Sequence, residues 1–200
     1  MRIYEKWLYL CCGIKVVYTY ETNLPATQNY VIMANHESSW EAFSLTAIRR
    51  PSVTILKREL LRIPLFGWAL TLIKPISLNR ANLVQSMKRI YSQGQERLNQ
   101  GYNLLIFPQG TRGSLPMISP FKNSAINLAL SSGYPILPVA HNSGELLPTG
   151  KFIKHPGRLN VLIGSPLDPS NHSKGEFAKL VMDKMHAMIK QVHQSPVVFK

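Results

Sequence analysis

Short runs rich in β-branched and aromatic residues alternate along the chain with longer segments of helical periodicity. Six runs predict strands, at Lys15–Tyr20, Tyr30–Ala34, Val53–Leu56, Asn103–Phe107, Ile136–Ala140 and Arg158–Ile163. Helical patterns cover Trp40–Ile48, Ala81–Asn99 and Ser173–Val192, the last with Ser173 as a plausible N-cap. No internal repeat or long linker divides the chain. The alternation predicts a single α/β domain with a mostly buried mixed sheet flanked by helices.

The apolar segments are too short or too interrupted to cross a membrane. A transmembrane helix needs about 20 apolar residues, whereas the run Trp7–Ile14 has eight and is bracketed by Lys6 and Lys15. The run also lacks the small-residue cleavage site of a signal peptide. It suits contact with a membrane surface, and a first helix packed on the core is the alternative. We therefore expect 1–14 to form a helix that can contact a membrane, and 15–200 to form the domain that carries the chemistry.

Composition and charge exclude several classes of protein. The chain has 200 residues, of which 45% are hydrophobic, so wholesale disorder is excluded. Its two cysteines are adjacent, which excludes a scaffold built on disulfides. The 23 Lys and Arg outnumber the 10 Asp and Glu, and the net charge of +13 predicts an anionic partner: nucleic acid, anionic lipid or a phosphorylated substrate. Eight of these charges fall within Arg49–Ile90, where a solvated basic face is the alternative to an anion site.

The segment Ala34–Glu41, Ala-Asn-His-Glu-Ser-Ser-Trp-Glu, joins a predicted strand to a predicted helix. On one continuous helix His36 and Glu41 would point apart, because five residues rotate by about 140° from the start. The two side chains can converge if His36 lies in the turn before the helix and Ser38 or Ser39 caps it. Glu41 could then accept from one imidazole nitrogen and leave the other as a general base. A purely structural histidine beside a helix cap is the alternative.

The segment Phe107–Arg112, Phe-Pro-Gln-Gly-Thr-Arg, directly follows a strand that the pattern predicts to be buried. Its Pro and Gly fix a turn, while Thr111 and Arg112 offer a hydroxyl and a forked cation. Backbone N–H groups in such a turn, together with an arginine, make a phosphate site. An ordinary exit from a strand with an exposed arginine is the alternative.

Two further segments are less specific. Lys57 and Arg58 precede an apolar stretch broken by Pro and Gly, and then Ile76–Arg80. Paired cations beside apolar residues suit a ligand with an anionic head and an apolar tail, and a charged loop before a packed helix is the alternative. The segment Ile136–Gly144 is a predicted strand that ends in polar residues, for which a core strand with a turn is the simpler interpretation.

These four segments, in this order, resemble the glycerolipid acyltransferase family, especially the bacterial 1-acyl-glycerol-3-phosphate (lysophosphatidic acid) acyltransferases. The family shows Asn-His-x-x-x-x-Asp/Glu, then a basic block with a following Ile-x-x-x-Arg, then Phe-Pro-Glu-Gly-Thr-Arg and a strand ending near Val-Pro-Val-Ala. The resemblance extends from about Ile14 to Pro166 and includes Lys154–Gly157. Four blocks in order are far more specific than any one of them. The resemblance implies the α/β fold of the glycerol-3-phosphate acyltransferases.

The resemblance also implies a role for each matching residue. His36 corresponds to the catalytic base and Glu41 to its acidic partner, where many members have Asp. The family's phosphate-binding and head-group-binding positions correspond to Gly110, Thr111 and Arg112 and to Lys57, Arg58 and Arg80. Gln109 stands where the family usually has Glu, so a charge is lost there while a hydrogen-bonding role could survive.

The reaction implied by the resemblance is acyl transfer from acyl-CoA or acyl carrier protein to the free hydroxyl of a lysophospholipid. With 1-acyl-glycerol-3-phosphate the product would be phosphatidic acid. The resemblance implies no metal and no cofactor beyond the acyl thioester, which is a co-substrate. The expected partners are the lysophospholipid, membrane lipids and the acyl donor, with peripheral attachment at the cytoplasmic face of a membrane.

Other classes account for the sequence less well. A nucleic-acid-binding module would explain the charge, but the chain has no finger, RNP or helix-turn-helix pattern. A serine hydrolase is disfavoured because Gly-x-Ser-x-Gly is absent. A zinc enzyme is disfavoured because ligand-like spacing is lacking at His141, His155, His172, His186 and His193. A non-catalytic lipid-binding relative is the main alternative, and the presence of both His36 and Glu41 argues against it.

Overall fold

The computed structural model describes residues 3–65, 67–68, 71, 74–78, 83–113, 117–194 and 198–199. Its helices are α1 Ile3–Cys12, α2 Trp40–Ser44, α3 Leu83–Asn99, α4 Ser124–Ser132, α5 Ser143–Leu146 and α6 Lys174–Val192. Short 3-10 turns cover Leu45–Ala47 and Arg58–Arg62. The strands are β1 Ile14–Tyr20, β2 Val31–Ala34, β3 Ser52–Lys57, β4 Ile76–Leu78, β5 Asn103–Ile106, β6 Met117–Ile118, β7 Ile136–His141, β8 Gly157–Ile163 and β9 Val198–Phe199.

The described strands form a seven-stranded mixed sheet in the order β1-β8-β7-β2-β5-β3-β4, and β6 pairs with β9 apart from it. Strands β7, β2, β5, β3 and β4 are parallel to one another, whereas β8 is antiparallel to β7 and parallel to β1. Ala34 at the end of β2 aligns with Val139 of β7, and Met33 aligns with Ile106 at the end of β5. The predicted fold class is therefore confirmed, and three neighbouring strands end at one edge of the sheet.

The strand predictions agree with the structure to within one residue at each end. The helix predicted over Trp40–Ile48 is shorter, because α2 ends at Ser44 and a 3-10 turn follows. Strands β4, β6 and β9 were not predicted, since two or three residues are too few to establish a period. Ser173 does cap α6, in a reciprocal capping box with Glu176.

The sheet is apolar on both faces, as expected for parallel strands buried between helices. Val31 and Met33 of β2 face one buried cluster, which also contains Phe177 of α6. Ile32 and Ala34 face the other, together with Trp40 of α2. Successive residues of β2 pack into clusters on opposite faces of the sheet, so a shift by one residue would exchange the two faces. The register of β2 is therefore fixed, and so is the position at which it ends.

Gly94 lies where α3 packs against Leu104 of β5 and Leu128 of α4. A Cβ at this position would lie 3.0 Å from Cδ2 of Leu104 and 3.1 Å from Cδ2 of Leu128. Glycine in mid-helix costs about 1 kcal/mol relative to alanine. The missing side chain therefore serves the packing of the helix against the sheet.

Helix α1 packs against β1 through one face of the helix, and its other face is exposed. Leu8 is buried, and the Tyr18 hydroxyl donates to Oε1 of Glu5 at 2.7 Å. Ile3, Trp7 and Leu10, spaced by four and three residues, are all exposed. No helix within the described residues is both long enough and apolar enough to cross a bilayer.

Candidate active site

His36 and Glu41 meet at the edge of the sheet where β2 ends. Nδ1 of His36 lies 2.7 Å from Oε1 of Glu41. His36 is in the turn that follows Ala34, whereas Glu41 is the second residue of α2, so the two side chains are not on one continuous helix. The His36 side chain is 21% exposed, and that of Glu41 is fully buried. An accessible imidazole is thus held by a buried carboxylate.

The Glu41 carboxylate also binds the backbone of the turn before it. Oε1 accepts from the N–H groups of Glu37 at 2.8 Å and Ser38 at 3.0 Å. Oε2 accepts from the hydroxyls of Ser38 at 2.6 Å and Ser143 at 2.9 Å. The carboxylate therefore fixes the backbone of the turn and the imidazole at the same time.

Ser38, rather than Ser39, provides the side-chain cap of α2. The Ser38 hydroxyl accepts from the N–H of Trp40 at 3.2 Å. Ser39 occupies the N-cap position, but its side chain makes no capping bond. Its hydroxyl instead accepts from Arg112, so the Ser39 side chain faces the Arg112 segment.

Glu41 is ionised across the ordinary pH range. Burial alone would raise the pKa of its carboxyl, but the neighbouring His141 and the hydrogen bonds from His36 and Ser38 lower that pKa from 4.5 to about 2. An ionised carboxylate only accepts hydrogen bonds, so Nδ1 of His36 is the donor. In the neutral imidazole Nε2 then carries the lone pair, which is the tautomer that a general base requires.

Two residues of the Phe107–Arg112 segment hold His36 from the other side. The Phe107 ring stacks on the imidazole, with 4.4 Å between ring centroids and 23° between planes. Oε1 of Gln109 accepts from the backbone N–H of His36 at 2.5 Å. Gln109 is 4% exposed, and its Nε2 has no hydrogen-bond partner among the residues that the structure describes. The hydrogen-bonding role expected for this position is therefore present without the charge.

Arg112 lies close to the His36 turn, while Gly110 and Thr111 are less directly involved. Nη1 of Arg112 donates to the Ser39 hydroxyl at 2.8 Å, and the next residue, Gly113, donates its N–H to the His36 carbonyl at 2.8 Å. Gly110 has a φ of 73°, which favours glycine, and its N–H donates to the Phe107 carbonyl. Thr111 and Arg112 are exposed. The Arg112 guanidinium therefore lies at the surface, bonded to Ser39 at the start of α2.

Two of the remaining predicted basic residues, Lys57 and Arg58, lie further along the same edge. Lys57 is the last residue of β3, and Arg58 begins the 3-10 turn that follows, with an exposed side chain. β3 is two strands away from β2, a separation of about 10 Å at the usual spacing of strands. Arg80 lies outside the described residues. Their proposed contact with a lipid head group stays a prediction.

With this geometry in place, the comparison with known families has a clear outcome. A family model described as Acyltransferase matches residues 15–142. The chain belongs to the acyltransferase family. The matched residues begin in β1 and end just after His141, so they contain His36, Glu41 and the whole Phe107–Arg112 segment.

Named relatives in the acyltransferase family agree with this assignment. A 1-acyl-sn-glycerol-3-phosphate acyltransferase of Pseudomonas aeruginosa is 40% identical over 76% of this chain and 58% of that protein. One of Saccharomyces cerevisiae is 31% identical over 98% of this chain and 67% of that protein. The crystal structure of the 1-acyl-sn-glycerophosphate acyltransferase PlsC from Thermotoga maritima matches with a TM-score of 0.79 at 25% identity, over 94% of this chain and 76% of that one. The match thus spans little more than half the length of the Pseudomonas protein.

Sequence analysis of this acyltransferase-family chain missed His141. The His141 imidazole is fully buried, and its Nε2 donates to the Asn35 carbonyl at 2.8 Å. The Asn35 side chain in turn bonds both the N–H and the carbonyl of His141, at 3.0 and 2.8 Å. Nε2 of His141 also lies 3.9 Å from Oε2 of Glu41. The only clue in the sequence was position, because Asn35 directly follows the buried strand β2 and His141 ends the buried strand β7.

Sequence analysis also missed a second histidine–carboxylate pair. Nε2 of His193 lies 3.0 Å from Oε1 of Glu37, a residue far from it in the sequence, and both side chains are buried. Nδ1 of His193 bonds the Ile189 carbonyl at 2.9 Å. Burial alone would lower the pKa of His193, but its close contact with the Glu37 carboxylate, together with the bond to the Ile189 carbonyl, raises that pKa. The sequence gives no clue to this contact between the end of α6 and the His36 turn.

The described side chains around His36 are arranged for proton transfer. An accessible imidazole is oriented by an ionised carboxylate, stacked on an aromatic ring and fixed through its own backbone. Within the described ranges, no group of three His, Cys, Asp or Glu is arranged to hold a metal ion. The exposed arginine that bonds Ser39 can bind an anionic group.

Proposed function

We propose that this protein transfers an acyl group from a thioester to the free hydroxyl of a lysophospholipid. The acceptor is 1-acyl-glycerol-3-phosphate, the product is phosphatidic acid, and the donor is acyl-CoA or acyl carrier protein. The observation that carries the proposal is the 2.7 Å contact between Nδ1 of His36 and the buried, ionised Glu41. The names of the relatives from Pseudomonas and yeast support the choice of acceptor.

The chemistry follows from the tautomer of His36. Nε2 accepts the proton of the acceptor hydroxyl as its oxygen attacks the thioester carbonyl. Glu41 remains ionised and stabilises the imidazolium that forms. The tetrahedral intermediate collapses with cleavage of its C–S bond, and the departing thiolate takes the proton from Nε2. One ester bond forms, one thioester bond breaks and a free thiol leaves, so the reaction needs no acyl-enzyme.

Basic residues at the same edge would hold the acceptor's phosphate. Arg112 contacts Ser39 beside the His36 turn, and Lys57 and Arg58 would extend the cationic surface, with Arg80 as a further candidate from the sequence alone. Fixing the phosphate places the hydroxyl beside Nε2. Most of the benefit of these residues is therefore positional.

A lipid acceptor requires that the protein reach a membrane surface. We propose peripheral attachment at the cytoplasmic face. Its support is the net charge of +13 and the exposed side of α1, where Ile3, Trp7 and Leu10 project into solvent.

The deciding experiment is a thiol-release assay with an acyl thioester and 1-acyl-glycerol-3-phosphate. We expect His36→Ala to lower the rate by about 10²–10⁴-fold, the usual contribution of a general base. The matched control is His172→Ala, since His172 is exposed and lies far from His36 in the sequence. Thermal unfolding of both variants checks that the fold is kept.

Two outcomes would contradict the proposal in different ways. Full activity of His36→Ala would refute the mechanism. Absence of turnover by the unaltered protein, with either donor and any lysophospholipid, would instead support a lipid-binding relative without catalysis.

A further inference from the structure

A loop with an apolar tip flanked by lysines lies between α5 and β8. Phe152 is 99% exposed and Ile153 is 70% exposed, and Lys151 and Lys154 stand on either side of them. The two side chains form a small apolar patch between basic residues, and apolar patches rimmed by polar residues are typical of surfaces that bind a protein or a membrane. Nothing in the mechanism uses these residues.

The loop lies at the same edge of the sheet as His36. Because β8 is antiparallel to β7, with His141 opposite Val161, the connection between the two strands lies where β7 and its neighbour β2 end. The Thr149 hydroxyl donates to the carbonyl of Glu37 at 2.9 Å. The loop is therefore fastened to the residue that directly follows the candidate base.

Hydrogen bonds within the loop hold its tip in place. The N–H of His155 donates to the Leu146 carbonyl at 2.9 Å and brings the two ends of the loop together. Nζ of Lys154 donates to the Lys151 carbonyl at 2.6 Å, across the two apolar residues. The apolar side chains thus project from a closed turn.

The charge of the loop suits an anionic lipid surface. Residues 147–158 contain Lys151, Lys154 and Arg158 and no Asp or Glu. Juxtamembrane lysines and arginines are attracted to anionic head groups. Apolar side chains between them enter the boundary of the acyl chains, while the long lysine side chains keep their charge in the head-group layer. A protruding tip fits a soft bilayer better than the shaped surface of a folded partner.

We infer that Lys151–Lys154 is a membrane-docking loop that inserts Phe152 and Ile153 into an anionic bilayer. The inference deepens the proposed function and rests on it, since the acceptor of that reaction is a membrane lipid. Docking through this loop turns the His36 edge of the sheet toward the bilayer. The acceptor's hydroxyl then reaches the imidazole without leaving the lipid surface completely.

The test compares Phe152→Ser/Ile153→Ser with the unaltered protein in vesicle sedimentation. Vesicles consist of phosphatidylcholine alone or of an equimolar mixture with phosphatidylglycerol. We expect the double variant to bind the mixed vesicles about tenfold less tightly, the effect of losing two partly inserted apolar side chains. Leu180→Ser is the matched control, because Leu180 is an exposed leucine on α6, and its binding should be unchanged. Lys151→Glu should weaken binding to the mixed vesicles only.

Turnover separates this inference from the proposed function. The double variant should lose turnover with an acceptor embedded in vesicles and keep it with a short-chain, water-soluble acceptor. Unchanged vesicle binding by the double variant would overturn the inference. So would a loss of turnover confined to acyl carrier protein as donor, since the loop would then dock that protein. If the unaltered protein is inactive on every acceptor, the proposed function fails, and sedimentation still decides whether the loop binds lipid.

Discussion

Glu37 lies 3.0 Å from His193 and thereby ties the C-terminal end of α6 to the turn that carries His36. The other carboxylate oxygen of Glu37 accepts from the N–H of Gly144 at 2.9 Å, and its backbone N–H donates to Glu41. One residue therefore links two histidine–carboxylate pairs. The accessible pair has the geometry of a general base and its partner, and the buried pair is bonded to the same turn.

The buried contact between Glu37 and His193 makes the free energy of unfolding depend on pH above 6.5. The pKa of His193 is raised above 6.5, so its contribution to folding is complete below 6.5 and is lost as pH rises through the folded-state pKa. The free energy of unfolding should fall over that range in the unaltered protein and more gently in His193→Gln. Urea unfolding at a series of pH values measures this. His172→Gln, at an exposed histidine, is the control, and an unchanged slope in His193→Gln would contradict the assignment.

Glu41→Gln should impair both folding and turnover. The backbone N–H groups and hydroxyls around the carboxylate all donate to it. The NH₂ group of a glutamine would therefore face other donors and find no acceptor among them. The pKa of Glu41 is lowered from 4.5 to about 2, so its contribution to stability is complete above 4.5 and is lost as pH falls toward 2. The variant should lack this acid-side slope, and its kcat should fall by about 10²–10⁴-fold. Retention of both the slope and the turnover would show that the carboxylate does not orient His36.

Gln109 should be needed as a hydrogen-bond acceptor and not for charge. Gln109→Leu leaves the His36 N–H without its acceptor, which we expect to cost about 1–3 kcal/mol of stability and to lower kcat. Gln109→Glu keeps an acceptor in the same place, so its kcat should stay close to that of the unaltered protein. Thermal unfolding and steady-state kinetics test both variants. Equal loss of kcat in the two would mean that the contact with His36 is not what matters at this position.

Arg112→Ala should weaken the handling of a phosphorylated acceptor. Arg112 is exposed, so we expect a rise of about tenfold in KM for 1-acyl-glycerol-3-phosphate, with a smaller effect on kcat. A monoacylglycerol, which lacks the phosphate, is the control acceptor, and Arg112→Lys should recover part of the loss. An equal loss with the phosphate-free acceptor would contradict a role in phosphate binding.

Local patterns were sufficient to predict six of the seven strands of the main sheet and the approach of Glu41 to His36. The six predicted strands are rich in β-branched, aromatic and other apolar residues, and His36 and Glu41 converge because a turn separates β2 from α2. For Gln109 the resemblance left a hydrogen-bonding role open, but the partner, the N–H of His36, is known only from the pairing of β2 with β5 in the structure.

The contacts of His141, His193 and the 147–156 loop depend on how distant elements pack. His193 meets Glu37 only because α6 crosses β7, and nothing in the sequence around His193 encodes that crossing. The loop reaches the His36 edge because β8 runs against β7, and the polarity of β8 cannot be deduced from its residues. Long-range contacts of this kind are properties of topology and not of local pattern.

The contact between Glu37 and His193 also bears on when the site is completed during synthesis. Residues 35–41 leave the ribosome before α6 does, and Glu37 is buried in the folded protein. Its partner His193 emerges only after α6 has been translated. A nascent chain that has made every residue of the His36 turn and of the Phe107–Arg112 segment would therefore still lack this buried contact, and the geometry around His36 should mature only at a late stage of chain growth.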